Sequence, residues 1–410
     1  MSDDADVLVV GAGLAGLRAA QVLDAAGQRV IIVDGADRVG GRLSSRRVEG
    51  FVLDRGFQLI NPAYPELAAT GVMSDFDLRS FSSVVRFSDG TSSYELGDPR
   101  VDPRRLITSL RHPDLSVSDA LKIGLTLAVL RYSSAAQIVR GGDISTRDAL
   151  RRRGVSSRAI DGVLAPFLRG TLLDDELATS WHYSALVLKS FTRGRPGTHP
   201  AGIVALPEAL ATSLAHASVR LGERVLNVGA TGVETDQGRY DARAVIVATD
   251  ATSAHRLTGV RDPGWRAQST WWWSLPEQHD TVQLRIDTRR KFLSSALDVS
   301  SVARERAPRG CSLIGACANG EFDVTCDEGV REDVARLYGV TTSDVRLIER
   351  DTVTHALPVV RPPLNLHQSQ VHDDVIVAGD YLQTPSIQGA LVSGRRAARI
   401  ALARLNRSVG

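Results

Sequence analysis

The first 42 residues constrain this chain more than any other stretch. Val7-Leu8-Val9-Val10 is a short apolar, β-branched run, followed at once by Gly11-Ala12-Gly13-Leu14-Ala15-Gly16. Leu17 to Ala26 reads as a helix closed by Gly27, and a second apolar run, Val30 to Val33, ends on Asp34. Strand, glycine turn, helix, strand and acid is the order a dinucleotide-binding βαβ unit requires. Gly11 permits the tight turn, Gly13 lets backbone approach a pyrophosphate, and Gly16 lets helix pack on strand. The helix N-terminus at Leu14 and Ala15 offers free N–H groups and partial positive charge to phosphates. Asp34, 23 residues after Gly11 and followed by Gly35, is placed to accept hydrogen bonds from a ribose.

The length of 410 residues makes two domains the default. A hydrophobic content of 43% with 23% charged residues suits a globular chain, and a net charge of +2 gives no argument for nucleic acid. Cys311, Cys317 and Cys326 form no C-x-x-C pair and read as buried small residues in a reducing compartment, so a cytoplasmic protein is expected. The apolar run at 7–10 is too short for a signal peptide, and no stretch approaches the roughly 18 apolar residues of a spanning helix. Lysine occurs only at Lys122, Lys189 and Lys291. No Ser/His/Asp arrangement and no metal-spaced cluster stands out, so no metal is expected.

Further along, Phe51 to Ile60 reads as a strand and turn, and Val84 to Leu96 as a hairpin about Asp89-Gly90. Residues 103 to 193 are helical in pattern, with expected helices over 103–111, 118–140, 145–153 (Ser145 as cap) and 156–168. The Gly- and Pro-rich stretch 192–202 marks a return from this block. A helix from Leu206 to Ala217, a strand over 219–228, a hairpin at 233–240 and a buried strand over 244–250 follow. Trp271-Trp272-Trp273, Val282 to Ile286 and Ser312 to Ala316 read as strands of a second sheet. Adjacent tryptophans on a strand face opposite sides, either into a pocket or into an aromatic core.

Two segments carry a resemblance. Asp37-Arg38-Val39-Gly40-Gly41-Arg42 resembles the Gly-Gly-Arg segment of FAD enzymes of the amine oxidase and phytoene (carotenoid) desaturase superfamily. At the other end, Val375 to Val377, Ala378-Gly379-Asp380-Tyr381, the loop to Gly394 and the helix 395–405 resemble that superfamily's second FAD motif. The phrasing of this second motif is most similar to the phytoene desaturase-like branch. The resemblance implies an α/β fold: a Rossmann-type FAD-binding domain (1–96, 195–254, 351–410) with an interleaved α+β substrate domain (97–194, 255–350). It implies Arg42 beside the FAD phosphates, Gly40 and Gly41 close to them, and the Asp54-Arg55-Gly56 loop with Phe57 near the flavin ring. Val225 is the candidate for backbone contact with adenine, and Ala248 and Thr249 end a strand beside the nucleotide. Gly379 and Asp380 would meet the ribityl chain, and the N–H groups around Gln388, Gly389 and Ala390 the flavin's pyrimidine edge. There the helix dipole would stabilise a reduced, anionic ring.

A single G-x-G-x-x-G argues against a second nucleotide domain for NAD(P)H. No cysteine lies near Ser386-Ile387-Gln388-Gly389, so the flavin is expected to be non-covalent. The implied activity is oxidation of a small-molecule, apolar substrate by hydride transfer to flavin N5, with electrons passing to O2 or a quinone. His355, Lys291 and Tyr381 are the candidates for a substrate-facing role. A flavin amine oxidase and a non-catalytic flavin-binding partner protein remain the alternatives. Leu125 to Leu130 is either a peripheral membrane contact or a buried helix face.

Overall fold

The computed structural model describes residues 5–97, 104, 109–277, 283–289, 292–366 and 368–407. The opening unit forms as the sequence predicts: β1 (Ala5–Val10), α1 (Leu14–Asp24) and β2 (Val30–Asp34). β1 lies between two parallel neighbours. Val10 stands opposite Val33 of β2 on one side and opposite Val247 of the strand Arg239–Val247 on the other. Ser218–Leu221 extends the parallel sheet beyond β2, and Val375–Val377 extends it beyond Arg239–Val247.

Such strands are covered on both faces along their central residues, which are accordingly apolar on both sides. Val7, Val9 and Ile32 pack against α1 and the C-terminal helix Ile387–Arg407, while Leu8, Val10 and Ile31 enter a second core on the opposite face. The region expected as one strand over 219–228 is two strands, Ser218–Leu221 and Val225–Gly229, because Gly222 turns the chain at φ 71°. The second of these heads a hairpin added antiparallel to the near half of Arg239–Val247.

A separate seven-stranded sheet runs in the order Arg346–Pro358, Trp265–Pro276, Cys311–Asn319, Ser295–Asp298, Leu284–Asp287, Val85–Ser88, Ser93–Leu96. The hairpin Val85–Leu96 therefore belongs to this sheet, through parallel pairing of Val85–Ser88 with Leu284–Asp287, and not to the nucleotide sheet with which its sequence position groups it. The three tryptophans are fully buried. Trp271 and Trp273 enter one core and Trp272 the opposite one, so the three tryptophans form core.

The helical block contains Val117–Tyr132, Thr146–Arg152, a run from Ser157 to Leu172, and Trp181–Arg193, a helix the sequence pattern did not mark. Ser145 caps Thr146–Arg152 as expected, its Oγ accepting from the Asp148 N–H at 3.1 Å. Val117–Tyr132 stops short of the expected residue 140. Ser133 and Ser134 are extended there, and the Ser134 side chain caps a new short helix at Ala135–Ile138. Pro166 does not interrupt the Ser157–Leu172 run. A π turn over Ile160–Leu164 restarts the helix so that the proline occupies its first turn, where no N–H is needed. The helix expected over 103–111 lies mostly outside the described residues.

Candidate functional site

A cavity of about 730 Å³ lies where the carboxyl ends of the parallel strands meet the second sheet and the helical block. This is the place where open parallel sheets bind ligands. Its walls on the nucleotide-sheet side include Gly11, Gly13, Leu14, Ala15, Asp34, Gly35, Gly40, Gly41, Arg42, Val225, Ala248, Thr249, Gly379, Asp380 and Ala390. Gly56 and Phe57 face the same space from the loop after Phe51–Asp54.

The glycines divide by what they are for. Gly11 takes φ 106°, and a Cβ there would stand 2.8 Å from the Ala248 carbonyl oxygen. At Gly16 a Cβ would fall 1.9 Å from the Gly11 oxygen, so Gly16 serves the packing of α1 on its own turn and does not line the cavity. Gly13 is different: a Cβ there would meet no protein atom within 4 Å, and its φ of −76° suits any residue. At Gly41 the nearest atom would be the Gly13 Cα, at 3.7 Å. Packing leaves room for a side chain at both positions, but Gly41 sits at φ 58°, where the backbone itself favours glycine, so of the two only Gly13 borders the cavity with neither packing nor backbone calling for glycine. Gly13 is the N-cap of α1 and offers no capping side chain, so the first-turn N–H groups, which have no intrahelical acceptor, gain none from it.

Asp34 is held by backbone alone. Its Oδ2 accepts from the Ala12 N–H at 2.7 Å and its Oδ1 from the Ala36 N–H at 2.8 Å. Each oxygen keeps a second lone pair for hydroxyl donors. A glycine cradle, uncapped amides and an anchored carboxylate match what a dinucleotide such as FAD needs.

Arg42 and Asp380 meet. The Arg42 Nη2 donates to the Asp380 Oδ1 at 2.6 Å, its Nη1 donates to the Ala356 carbonyl at 3.2 Å, and its guanidinium lies 5.5 Å from the centre of the Trp265 ring. The first and second motifs are thus bonded to each other directly, which spacing alone could not show.

At the C-terminal helix, two of the three amides expected to face the ligand are already bonded within the chain. The Gly389 N–H donates to the Ser386 Oγ at 3.0 Å and the Ala390 N–H to the Ser386 carbonyl at 3.0 Å. Ser386 therefore caps this helix and consumes both donors. The Gln388 side chain turns away to accept from the Glu66 N–H, and neither Gln388 nor Gly389 lines the cavity. Ser386, Ile387 and Ala390 present that end to the space.

Of the substrate-facing candidates, His355 borders the cavity, exposed and stacked on Trp265 with ring centres 4.8 Å apart. Tyr381 does not: it is buried in the core on the far face of the sheet, and burial pushes its phenol well above the ordinary value. Lys291 lies outside the described residues.

Sequence reasoning missed the residues that hold the Arg55–Gln58 loop. The Phe57 N–H donates to the Gln268 Oε1 at 3.0 Å and the Gly56 N–H to the Asp351 Oδ2 at 3.2 Å, both from the second sheet. At the root of the loop, Asp54 is buried against Arg306 at 3.0 Å and accepts from the Ile203 N–H at 2.8 Å. These partners lie 149 to 295 positions away in sequence, and no local signal marks them. Gly170, Thr171 and Leu173 of the helical block also border the cavity.

Fold and cavity together define a flavin-type dinucleotide-binding protein with a second, interleaved sheet. The family profile described as flavin containing amine oxidoreductase matches residues 14–402, and the chain belongs to that family, whose cofactor is FAD. A putrescine oxidase of Kocuria rosea is 44% identical over 89 residues, 22% of this chain and 18% of that protein. A putative flavin-containing monoamine oxidase of Mycobacterium tuberculosis is 29% identical over 277 residues, 63% of this chain and 59% of that protein. The chain thus matches well under two thirds of the length of these curated relatives. In fold it is similar to the crystal structure of a putative protoporphyrinogen oxidase from Exiguobacterium, with TM-score 0.74 and 16% identity over 98% of this chain and 99% of that one.

Proposed function

We propose that this chain is a desaturase- or dehydrogenase-like FAD oxidoreductase that oxidises a C–H bond of a mainly apolar organic substrate and passes the electrons to O2 or a quinone. FAD, when bound, supplies the acceptor for the hydride. The protein's part is to place the substrate, exclude water and hold the cofactor.

The observation that carries this reading is the state of the carboxylates. Among the described cavity-lining residues, Asp34, Asp250 and Asp380 are the only acids. Asp34 is anchored at the nucleotide side, the Asp250 Oδ1 caps the helix Ala251–Thr258 by accepting from the Thr252 and Ser253 N–H groups, and Asp380 neutralises Arg42. All three are thus already engaged by protein donors, and one of them by a cation. Among the described residues, Phe57 and His355 are the only rings on the lining, and no tyrosine or tryptophan is on it. Phe57, Leu173, Val353, Leu357 and Ile387 offer an apolar wall instead. None of the described lining residues is a cysteine, and the reading takes the flavin as non-covalent.

A second reading, a flavin amine oxidase, draws on the relatives named as putrescine and monoamine oxidases. Anaerobic mixing of the yellow holoprotein with a panel of amines and a panel of polyenes separates the two. Bleaching by polyenes supports the proposal, and bleaching by amines alone overturns it. Bleaching by dithionite but by no substrate favours a non-catalytic flavin-binding partner.

A further inference from the structure

The helix Val117–Tyr132 wears its apolar side outward. Val117, Leu121, Leu125, Val129 and Tyr132 are 70%, 73%, 65%, 56% and 83% exposed. They make up five of the eight large hydrophobics exposed among the described residues. The spacing of three and four places them on one stripe about four turns long. The exposed positions between them, Ser118, Gly124 and Ala128, are also uncharged, so the exposed face carries no charged side chain at neutral pH. An ordinary surface helix shows the opposite pattern.

Charge surrounds the stripe without entering it. Over residues 109–140 there are four basic residues, Arg111, Lys122, Arg131 and Arg140, and two acids, Asp114 and Asp119. Neither acid stands alone: Asp119 is buried and accepts from Ser116 and Ser156, and Asp114 is paired at the surface with Arg158, a further cation. Lys189 of the neighbouring helix Trp181–Arg193 donates to the Ser133 carbonyl, adding a fifth cation at the C-terminal end of the stripe. The local balance is positive.

We propose that this face docks the protein on a bilayer surface carrying anionic headgroups, with the helix lying in the plane of the interface. An apolar stripe rimmed by Lys and Arg, with a tyrosine at its end, is what such a surface binds. A second copy of the chain fits poorly. A stripe of 16 residues is about 24 Å long and on the order of 10 Å wide, far below the roughly 800 Å² per partner of a stable interface. Pairing two such stripes would also bring like charges together. No helix among the described residues is long and apolar enough to cross a membrane, so the contact is superficial. The surface is independent of the substrate assignment.

The test is flotation of the holoprotein with phosphatidylcholine vesicles, with and without added phosphatidylglycerol, and sedimentation velocity without lipid. The Leu121→Glu/Leu125→Glu variant is run beside it, with flavin content and melting temperature as controls, because both positions already face water. The expected result is flotation with the phosphatidylglycerol vesicles that weakens at high salt, and at least about a tenfold lower bound fraction for the variant at unchanged flavin content. Absence of flotation with either vesicle, or equal flotation of the variant, overturns the proposal. A dimer that the double substitution dissolves, without lipid binding, assigns the face to a second copy.

Discussion

Arg42 donates a 2.6 Å hydrogen bond to Asp380 across 338 positions of sequence, and it fastens the two halves of the cofactor site to each other. The Asp380 side chain is only 6% exposed and Arg42 is 30% exposed, so the pair sits largely out of water. A charge-assisted bond of that kind is stronger than a neutral one, and removing one partner strands the other. Arg42→Ala and Asp380→Ala are each expected to lower FAD occupancy. The double variant should lose less than the sum, with a coupling of about 0.5–3 kcal/mol. Flavin absorbance per protein and FAD titration of the apoprotein measure this, and strict additivity would show that the two motifs act separately.

The glycines of the first turn separate fold from binding. Gly13→Val adds a side chain where no protein atom lies within 4 Å, so the apoprotein's stability is expected to change by less than about 0.5 kcal/mol while FAD affinity collapses. Gly16→Ala forces a methyl to 1.9 Å from the Gly11 oxygen, and is expected to cost about 1–3 kcal/mol in the apoprotein itself. Melting curves of apo and FAD-saturated proteins distinguish the two. Equal losses in the apo forms would refute the division.

Arg306 holds the root of the Arg55–Gln58 loop. It is fully buried, donates to the Val52 carbonyl and the Thr198 Oγ1, and pairs with Asp54. Arg306→Met leaves the Asp54 carboxylate buried without its cation, a loss of about 3–5 kcal/mol. Asp54→Asn/Arg306→Met should recover part of that loss. Chemical denaturation of the three proteins checks it.

His112 gives the helical block a pH dependence. The ring is buried against Phe87 and Tyr94, and its Nε2 has no partner among the described residues. Burial holds its pKa below the ordinary value, with Asp114 opposing. Above that ordinary value, near 6.5, folded and unfolded forms are both neutral. As pH falls through it the unfolded chain takes up the proton first, and stability is lost. The melting temperature is expected to fall between about pH 7.5 and about pH 5.5, and His112→Phe should remove this residue's share of the fall. An equal fall in the variant would place the loss elsewhere.

How legible the site was depended on the range of the interaction behind each residue. The turn at Gly11–Gly16 and the acid at Asp34 follow from local geometry, so their spacing could be read directly. Gln268 and Asp351 act on the Gly56–Phe57 amides through side chains of another sheet, and nothing near them in sequence announces it. Ser386 shows the converse. The helix after it was legible, yet the Gly389 amide proved to be occupied by the Ser386 cap and the Ala390 amide by an ordinary helical bond.

The sequence by itself determined the βαβ unit, the parallel sheet and the second cofactor motif, because strand burial on two faces and glycine turns leave periodic, local marks. Only the tertiary structure decided that Arg42 meets Asp380, that Val85–Leu96 joins the second sheet, and that the Val117–Tyr132 stripe faces outward. An apolar stripe reads the same whether it meets a core or a solvent boundary. Which one it meets is set by the helices that fill the space behind it, and that is a property of packing rather than of pattern.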